Sequence, residues 1–372
     1  MNRLTALARR KPGDVMRGLA PLWAILAALL LGGMLIAATG VNPLVAYRSL
    51  LRGAFGNANS LGDTLIKATT LIFAGAGMAF AFRCGVFNIG GEGQIYVGAL
   101  FATWIGLMRL PPIVHLPLAL IAGFVGGGLW AAIAGWLRAR RGLNEIIVTI
   151  FMNYIAVILV SFFVTGSLKE PPGYYPQTAE VAKAAQLPVI LPGSRLHAGL
   201  FLALASAAVI WLVLRRTSLG FQVRAVGANP TAARHAGINV ERNIVLAMFI
   251  SGGLAGWAGT VEVLGVQHRL RDFFLVGAGY DAIAVALLGG SDPLGAIPAA
   301  LFFGTLRTGA GAMQRGSGVP TALVVLVQGL AVIFVLIGTV LRARPQLFRF
   351  KGDNFRDHLG RIGRTIRQRR VP

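Results

Sequence analysis

The sequence predicts an all-α, polytopic membrane protein of about ten transmembrane helices, and three observations carry that prediction. Of 372 residues, 55% are hydrophobic and only 13% are charged, where soluble domains carry nearer a quarter. Mean hydropathy is +0.69. Apolar runs of the roughly 20 residues needed to cross a bilayer recur along the whole length.

A net charge of +22 would suit a nucleic-acid binder, but its distribution argues otherwise. Basic residues crowd an N-terminal tail, 1–17 (Arg3, Arg9, Arg10, Lys11, Arg17), a C-terminal tail, 342–372 (ending RTIRQRR), and short loops between apolar runs. That is the positive-inside pattern, and it suits contact with anionic lipid. No RNA-binding module accompanies it, so no nucleic-acid partner is expected. A single cysteine, Cys84, excludes an intrachain disulfide. The first apolar run is too long for a signal-peptide core and has no clear cleavage site, so it stays as a span.

Loop charge then orders the transmembrane region, 18–341. Span 1 (18–40) leaves the inside, and an amphipathic outer helix is expected before span 2 (64–82). The stretch CGVFNIGGEGQ interrupts the apolar pattern before span 3 (95–108), which RLPPIVH turns into span 4 (116–137). RARRG, Arg138 to Gly142, marks an internal loop. Span 5 (145–165) opens the external loop 166–197, whose prolines exclude a long helix. Span 6 (199–214) leads to an Arg-rich internal loop, 215–243. Spans 7 (244–264), 8 (280–288), 9 (297–306) and 10 (321–340) follow. Ten spans put both termini inside, although Arg269, Arg271, Arg307 and Arg315 then fall outside or near an interface. Eight or nine is the competing count, because spans 8 and 9 are short.

A faint internal repeat joins NIGGEGQIYVGALFA to LLGGSDPLGAIPAALFFG, each a Gly-Gly, an acid and a helix rich in small residues. Gly-interrupted segments at matching places in two halves point to a transport pathway. Asn88, Glu92 and Gln94 belong to the first of them. Two readings of Glu92 fit: a discontinuous, re-entrant helix lining the pathway, or an acid favoured at the N-terminus of span 3. Asn144 suits an N-cap for span 5, with Glu145 in the first turn. Asn153 lies mid-span and must bond another helix or touch solute, the first being favoured. ISGGLAGWAGTVE reads as a close-packing face, and Glu262 at its outer end meets headgroups or an external vestibule.

Enzyme signatures are missing: there is no phosphate loop with Lys, no metal-ligand spacing and no GxSxG element. No span carries a row of ionisable residues fit for a proton relay. Within the internal loop, GANPTAARHAGIN stands apart. Asn229 caps, Pro230 fits the first turn, and Gly237 stops the helix in a left-handed turn. About two turns remain, carrying Thr231, Arg234 and His235. They are too short to be stable alone in water, which suits a helix onto which a partner docks; the alternative is an ordinary interfacial turn between spans.

Taken in order, CGVFNIGGEGQIYVGAL, LNEIIVTIFMNYIA and SLGFQVRAVGANPTAARHAGIN resemble the permease subunits of nucleoside and simple-sugar ABC importers. Branched-chain amino-acid and ribose permeases are more distant. The likeness runs from about residue 63 to 340. It implies a second homologous permease, an ATPase with two nucleotide-binding halves, and an extracytoplasmic substrate-binding protein, often a lipoprotein. It implies a bacterial inner-membrane location, with both termini cytoplasmic. ATP would bind the partner, so this chain needs no cofactor. Asn88, Glu92, Gln94 and Asn153 would lie near the solute pathway. Arg224, Asn229, Pro230, Thr231, Arg234, His235 and Gly237 would form the ATPase-coupling segment. The alternatives are a permease for sugars or branched-chain amino acids, a stand-alone secondary transporter or channel, and, more distantly, an intramembrane enzyme.

Overall fold

The computed structural model describes residues 20–343, so the two tails lie outside the described residues apart from Arg342 and Ala343, which close the last helix. All regular structure described is helical. Each predicted span coincides with a helix: α1 (Ala20–Ala38), α3 (Ala58–Arg83), α4 (Gly91–Gly106), α5 (Pro112–Arg141), α6 (Glu145–Thr165), α7 (Gly199–Arg216), α10 (Val240–Glu262), α11 (Ala278–Leu288), α12 (Ala296–Ser317) and α13 (Thr321–Ala343). Three further helices lie between them: α2 (Pro43–Phe55), α8 (Ser218–Ala228) and α9 (Pro230–His235). Among the described residues, α3, α5, α6, α7 and α10 with its following turn are long and apolar enough to cross a membrane by length and composition alone.

Local chemistry sets the boundaries. The expected outer helix is α2. Asn42 caps it by accepting from the Leu44 N–H (2.9 Å), and it buries the stripe Ala46, Leu50, Ala54 at helical spacing. The chain bends by 118° between α1 and α2. Helix α3 starts earlier than predicted because Asn57 accepts from the Ser60 N–H (2.8 Å). Helix α12 runs past the predicted end at residue 306 to Gly318, which stops it at φ +73°. Arg307 therefore lies inside the helix, where its guanidinium pairs with Asp281 of α11 (2.6 Å).

Helices α4, α5 and α10 meet backbone to backbone, which confirms the close-packing face read from ISGGLAGWAGTVE. A Cβ on Gly98 of α4 would lie 2.3 Å from the Cα of Gly256 in α10. One on Gly256 would lie 2.3 Å from the Gly123 carbonyl of α5, and one on Gly127 of α5 would lie 2.4 Å from the Gly252 carbonyl. No side chain fits at these glycine positions, and dispersion at such short range is the main association force available in lipid. Helix α3 is largely buried. It touches α10 where Gly77 meets the Ser251 carbonyl, and α12 where Gly304 meets the Thr64 carbonyl. The predicted repeat has this much spatial expression: α4 and α12, each following a Gly-rich turn, lie through a glycine against the central helices α10 and α3.

At one end of the bundle, 166–198 forms a hood with a single short 3-10 turn, Lys183–Ala185, as its prolines predict. It is held to 264–272 by backbone bonds, Thr178 N–H to Leu270, Val181 N–H to His268 and Leu187 N–H to Leu264 (each 2.9 Å), and by the Arg269–Glu170 ion pair. The opposite end carries the 84–90 turn, 142–144, α8, α9 and the 289–295 turn.

A valine at Gly256 is expected to cost about 3 kcal/mol and to broaden or abolish the folded peak in size-exclusion chromatography and thermal melts. Gly329→Ala in α13, with nothing near the added methyl, is expected to melt no lower than the parent. Equal melting of the two variants would contradict the seam.

Candidate functional site

The interrupted stretch before α4 folds as a turn knotted by amides. Asn88 and Gln94 face each other in a reciprocal pair, each Nδ2 or Nε2 donating to the other's carbonyl oxygen at 2.8 Å. Asn88 Nδ2 also donates to Ser251 Oγ (2.9 Å), and its Oδ1 accepts from the Gly90 N–H (3.1 Å). Asn153 of α6 completes the knot: Oδ1 accepts from the Gly93 N–H (2.8 Å), while Nδ2 donates to the Ile89 carbonyl (3.0 Å) and the Tyr280 hydroxyl (3.4 Å). Asn88, Gln94 and Asn153 are all buried. Each hydrogen-bonding capacity of the Asn88 amide is met by protein. Glu145, beyond its expected place in the first turn of α6, is buried, pairs with Arg138 (2.6 Å) and accepts from the Phe87 N–H (3.4 Å). Asn144 caps that helix as predicted, accepting from Ile146 N–H (2.9 Å).

Glu92 serves a different helix from the one expected of an N-terminal acid. Its carboxylate accepts from Gly277 N–H at 2.6 Å and Gly279 N–H at 2.8 Å, at the start of α11; α4 itself has no side-chain cap. The reason is geometric. The segment after α10 descends into the bundle, so α11 begins buried against α4, where a Cβ on Gly279 would lie 2.0 Å from the Glu92 nitrogen. A helix N-terminus buried there has unpaired N–H groups, and a carboxylate meets them with two charge-assisted bonds. The broken, half-length helix is thus α11.

Above this point lies a cavity of about 550 Å3, walled by α3, α10, α12 and the descending 266–278 segment. Asp63, Lys67, Glu262, Arg271, Asp272 and Arg307 line it. Lys67 Nζ donates to the Arg307 carbonyl (3.2 Å), Arg195 pairs with Asp63 (3.0 Å), and Gln267 donates to Glu262 (3.1 Å). Phe273 and Phe274 add aromatic rings. Phe274 packs on Tyr96 at 4.9 Å between centroids, whereas Phe273 is held at φ +50°, a conformation costly for a bulky residue and frequent at functional sites. The hood seals this end through buried His197, whose Nδ1 accepts from the Gly199 N–H (3.2 Å) and whose ring fills the space beside Gly265. Burial, then the neighbouring His268, pushes the His197 pKa down to about 4.

At the opposite end the capped connector is present. Asn229 Oδ1 accepts from the Ala232 N–H (3.0 Å), Pro230 opens α9 and Gly237 stops it at φ +79°. Thr231, Arg234 and His235 are exposed, while Ala233 anchors the inner face. Helix α8, not foreseen as a separate element, is capped by Thr217 (3.1 Å to Gly220 N–H). It presses on the end of α3, where a Cβ on Gly227 would lie 2.1 Å from the Arg83 carbonyl. Asn243 of α10 donates to Gln222 of α8 (3.2 Å). Arg224 does not share the exposed face of α9; its Nη1 is buried.

Residues 60–336 match the family described as the branched-chain amino acid transport system / permease component. The chain belongs to this permease family. It is 38% identical to the guanosine ABC transporter permease protein NupP of Bacillus subtilis, over 90% of this chain and 98% of that one. It is 36% identical to the glucose ABC transporter permease protein TsgB13 of Haloferax volcanii (85% and 86%) and 34% identical to the nucleoside ABC transporter permease protein NupB of Lactococcus lactis (87% and 92%). No solved structure matches. The chain is accordingly a permease subunit of an ABC importer, a multi-pass membrane protein and a transport subunit.

In this permease the cavity's charged wall escaped the sequence reading, apart from the external vestibule expected at Glu262. Its ionisable groups come from α3 (Asp63, Lys67), α10 (Glu262), α12 (Arg307), the hood (Arg195) and the 266–278 segment (Arg271, Asp272), so no one span shows a row. The available signal was Lys67 inside an apolar run, since an intramembrane charge is a functional marker by default.

Because His197 stays neutral when the hood is docked, its contribution is complete above about pH 6.5. It falls as pH drops toward 4, where the undocked chain takes a proton and the docked one does not. The total loss is about 3 kcal/mol. The melting temperature in detergent should fall between pH 7 and pH 5 more steeply for the parent than for His197→Leu; equal slopes would contradict the assignment.

Proposed function

We propose that this permease moves nucleosides inward, through the polar cavity and past the amide knot, under force delivered to α9 by a separate ATPase. The observation that carries this reading is the shared framework: the cavity between α3, α10 and α12 and the connector formed by α8 and α9 both rest on α3 and α10. Guanosine and nucleoside permeases among the relatives support the substrate class. The chemistry fits it too: Asp63, Glu262 and Asp272 offer acceptors to ribose hydroxyls, and Phe273 offers a stacking face to a base.

The loop charges support an orientation with both termini, α8 and α9 in the cytoplasm, and with the hood and cavity mouth outside. On this reading 18–341 is the translocation domain, 215–243 the coupling loop, and 166–197 the external loop on which a substrate-binding protein docks. The basic tails 1–17 and 342–372 meet anionic lipid. A second, homologous permease completes the assembly. Closure of two nucleotide-binding halves pushes the exposed Thr231, Arg234 and His235. Gly227 transmits the push to the end of α3, and Asn239, which caps α10 (2.9 Å to Arg242 N–H), transmits it to α10. Asn88, Glu92, Gln94 and Asn153 are wall-holding residues in this scheme, because protein groups already occupy their hydrogen-bonding atoms. They make the wall move as a unit.

With the complete transporter in proteoliposomes, ATP-dependent uptake of labelled guanosine should be blocked by excess unlabelled nucleosides and not by glucose. Uptake should fall at least about tenfold in Arg234→Glu, while the binding protein keeps its affinity. Normal uptake by Arg234→Glu would remove the coupling assignment, and glucose uptake would move the permease to the sugar class represented by its Haloferax relative.

A further inference from the structure

Beside the connector of α8 and α9, a cleft of about 260 Å3 is enclosed by α3, α7, α8 and the 289–293 turn and lined by Arg83, Trp211, Arg215, Arg224 and Asp292. Three guanidinium groups face one carboxylate there. Arg83 spends its donors on neutral carbonyls, Ser291 at 2.7 Å and Gly290 at 3.4 Å, so its charge is not balanced. Arg215 takes the single acid, Asp292, at 3.3 Å, and lies 4.9 Å from the centroid of Trp211. Asp292 is further committed, accepting from the Leu294 N–H at 3.0 Å. Arg224 is left with a buried Nη1 that has no hydrogen-bond partner, and among the described residues it makes no ion pair.

A guanidinium nitrogen shut away from water without an acceptor is unfavourable, and Arg cannot escape by losing its proton. Something with at least two anionic oxygens in a plane or tetrahedron answers this deficit, since guanidinium donors bind carboxylate and phosphate as a fork. We propose that the cleft binds a phosphate group, and that the group is the headgroup of an acidic phospholipid. The surroundings favour lipid over free phosphate. Trp211 sits at the wall, as aromatic rings do at headgroup depth. On its outer face α7 carries Phe201, Val209 and Leu212, each at least half exposed, apolar surface on which an acyl chain can lie. Because Arg224 belongs to α8, Arg83 to the end of α3 on which α8 presses, and Asp292 to the 289–293 turn, a bound phosphate ties α8 to α3 and to that turn. That consequence for transport rests on the proposed coupling role of α8 and α9; the binding itself does not.

The test begins with the purified permease in nanodiscs of phosphatidylcholine, with or without phosphatidylglycerol. Native mass spectrometry reads the phosphatidylglycerol retained on the protein. Retention should weaken about tenfold in Arg224→Met, weaken less in Arg224→Lys, and strengthen in Asp292→Asn, which removes the competing acid and keeps the bond to Leu294. The gain in Asp292→Asn cannot arise from misfolding. Excess inorganic phosphate should not displace the lipid. Equal retention by all four proteins, or none by the parent, overturns the site; displacement by inorganic phosphate alone overturns the lipid headgroup as its occupant. A second arm measures ATP-dependent uptake by the complete transporter in the same lipids. Lipid retention that follows the variants while uptake ignores them would leave the site standing and remove the coupling role proposed for α8.

Discussion

Backbone contact among α4, α5 and α10 sets where the rest of the bundle sits. In a bilayer, water does not drive helices together, so association depends on how closely surfaces approach. Gly98, Gly123, Gly127, Gly252 and Gly256 let backbone meet backbone at that contact. Polar groups can then do at close range what they could not do across an ordinary interface. Ser251 reaches Asn88 because α10 lies against α3 and α4 at glycine distance, and Trp257 donates to the Leu120 carbonyl (2.8 Å) because α5 lies as near.

The seam also fixes the division between a rigid interior and two working ends. At one end, the segment after α10 descends rather than closing over the bundle. Its buried helix N-terminus is held by Glu92, and the space it leaves is the charged cavity. At the other, α8 and α9 rest on the end of α3 through Gly227 and on the start of α10 through Gln222 and Asn239. The amide knot lies between the two, joining α4, α6, α10 and α11 through Asn88, Gln94, Ser251, Asn153 and Tyr280. On the proposed coupling, a displacement of α9 reaches the cavity wall through packed backbone and these hydrogen bonds.

Much of this arrangement was legible in the sequence because it rests on short-range signals. Asn144, Asn229 and Gly237 act at single helix ends and do what their types predict. A helix stands at each expected span, but among the described residues apolar length and composition qualify only α3, α5, α6, α7 and α10 to cross a membrane. The glycine face of α10 was readable from its spacing, and the role of Asn153 as a contact between helices from its position in mid-span. What could not be read depends on the third dimension. Glu92 caps a helix that begins far along the chain, at Gly277, and nothing near Glu92 names that partner. Lys67, Asp281 and Arg307 look like isolated charges until α3, α11 and α12 pack together. Helix α8 escaped notice because its turn against α7 depends on the close approach of Gly220 to the Val213 carbonyl (2.1 Å for an added Cβ).

The central claim is that α9 is the gripped end of a lever built on α3 and α10. Its most direct test is thiol protection in the assembled transporter, with Cys84→Ala as background and single cysteines at Thr231 or His235. A membrane-impermeant maleimide should label both positions quickly in the permease alone. Labelling should slow strongly once the ATPase is bound, and change again when ATP is added. Labelling that stays equally fast with and without the ATPase would contradict the account.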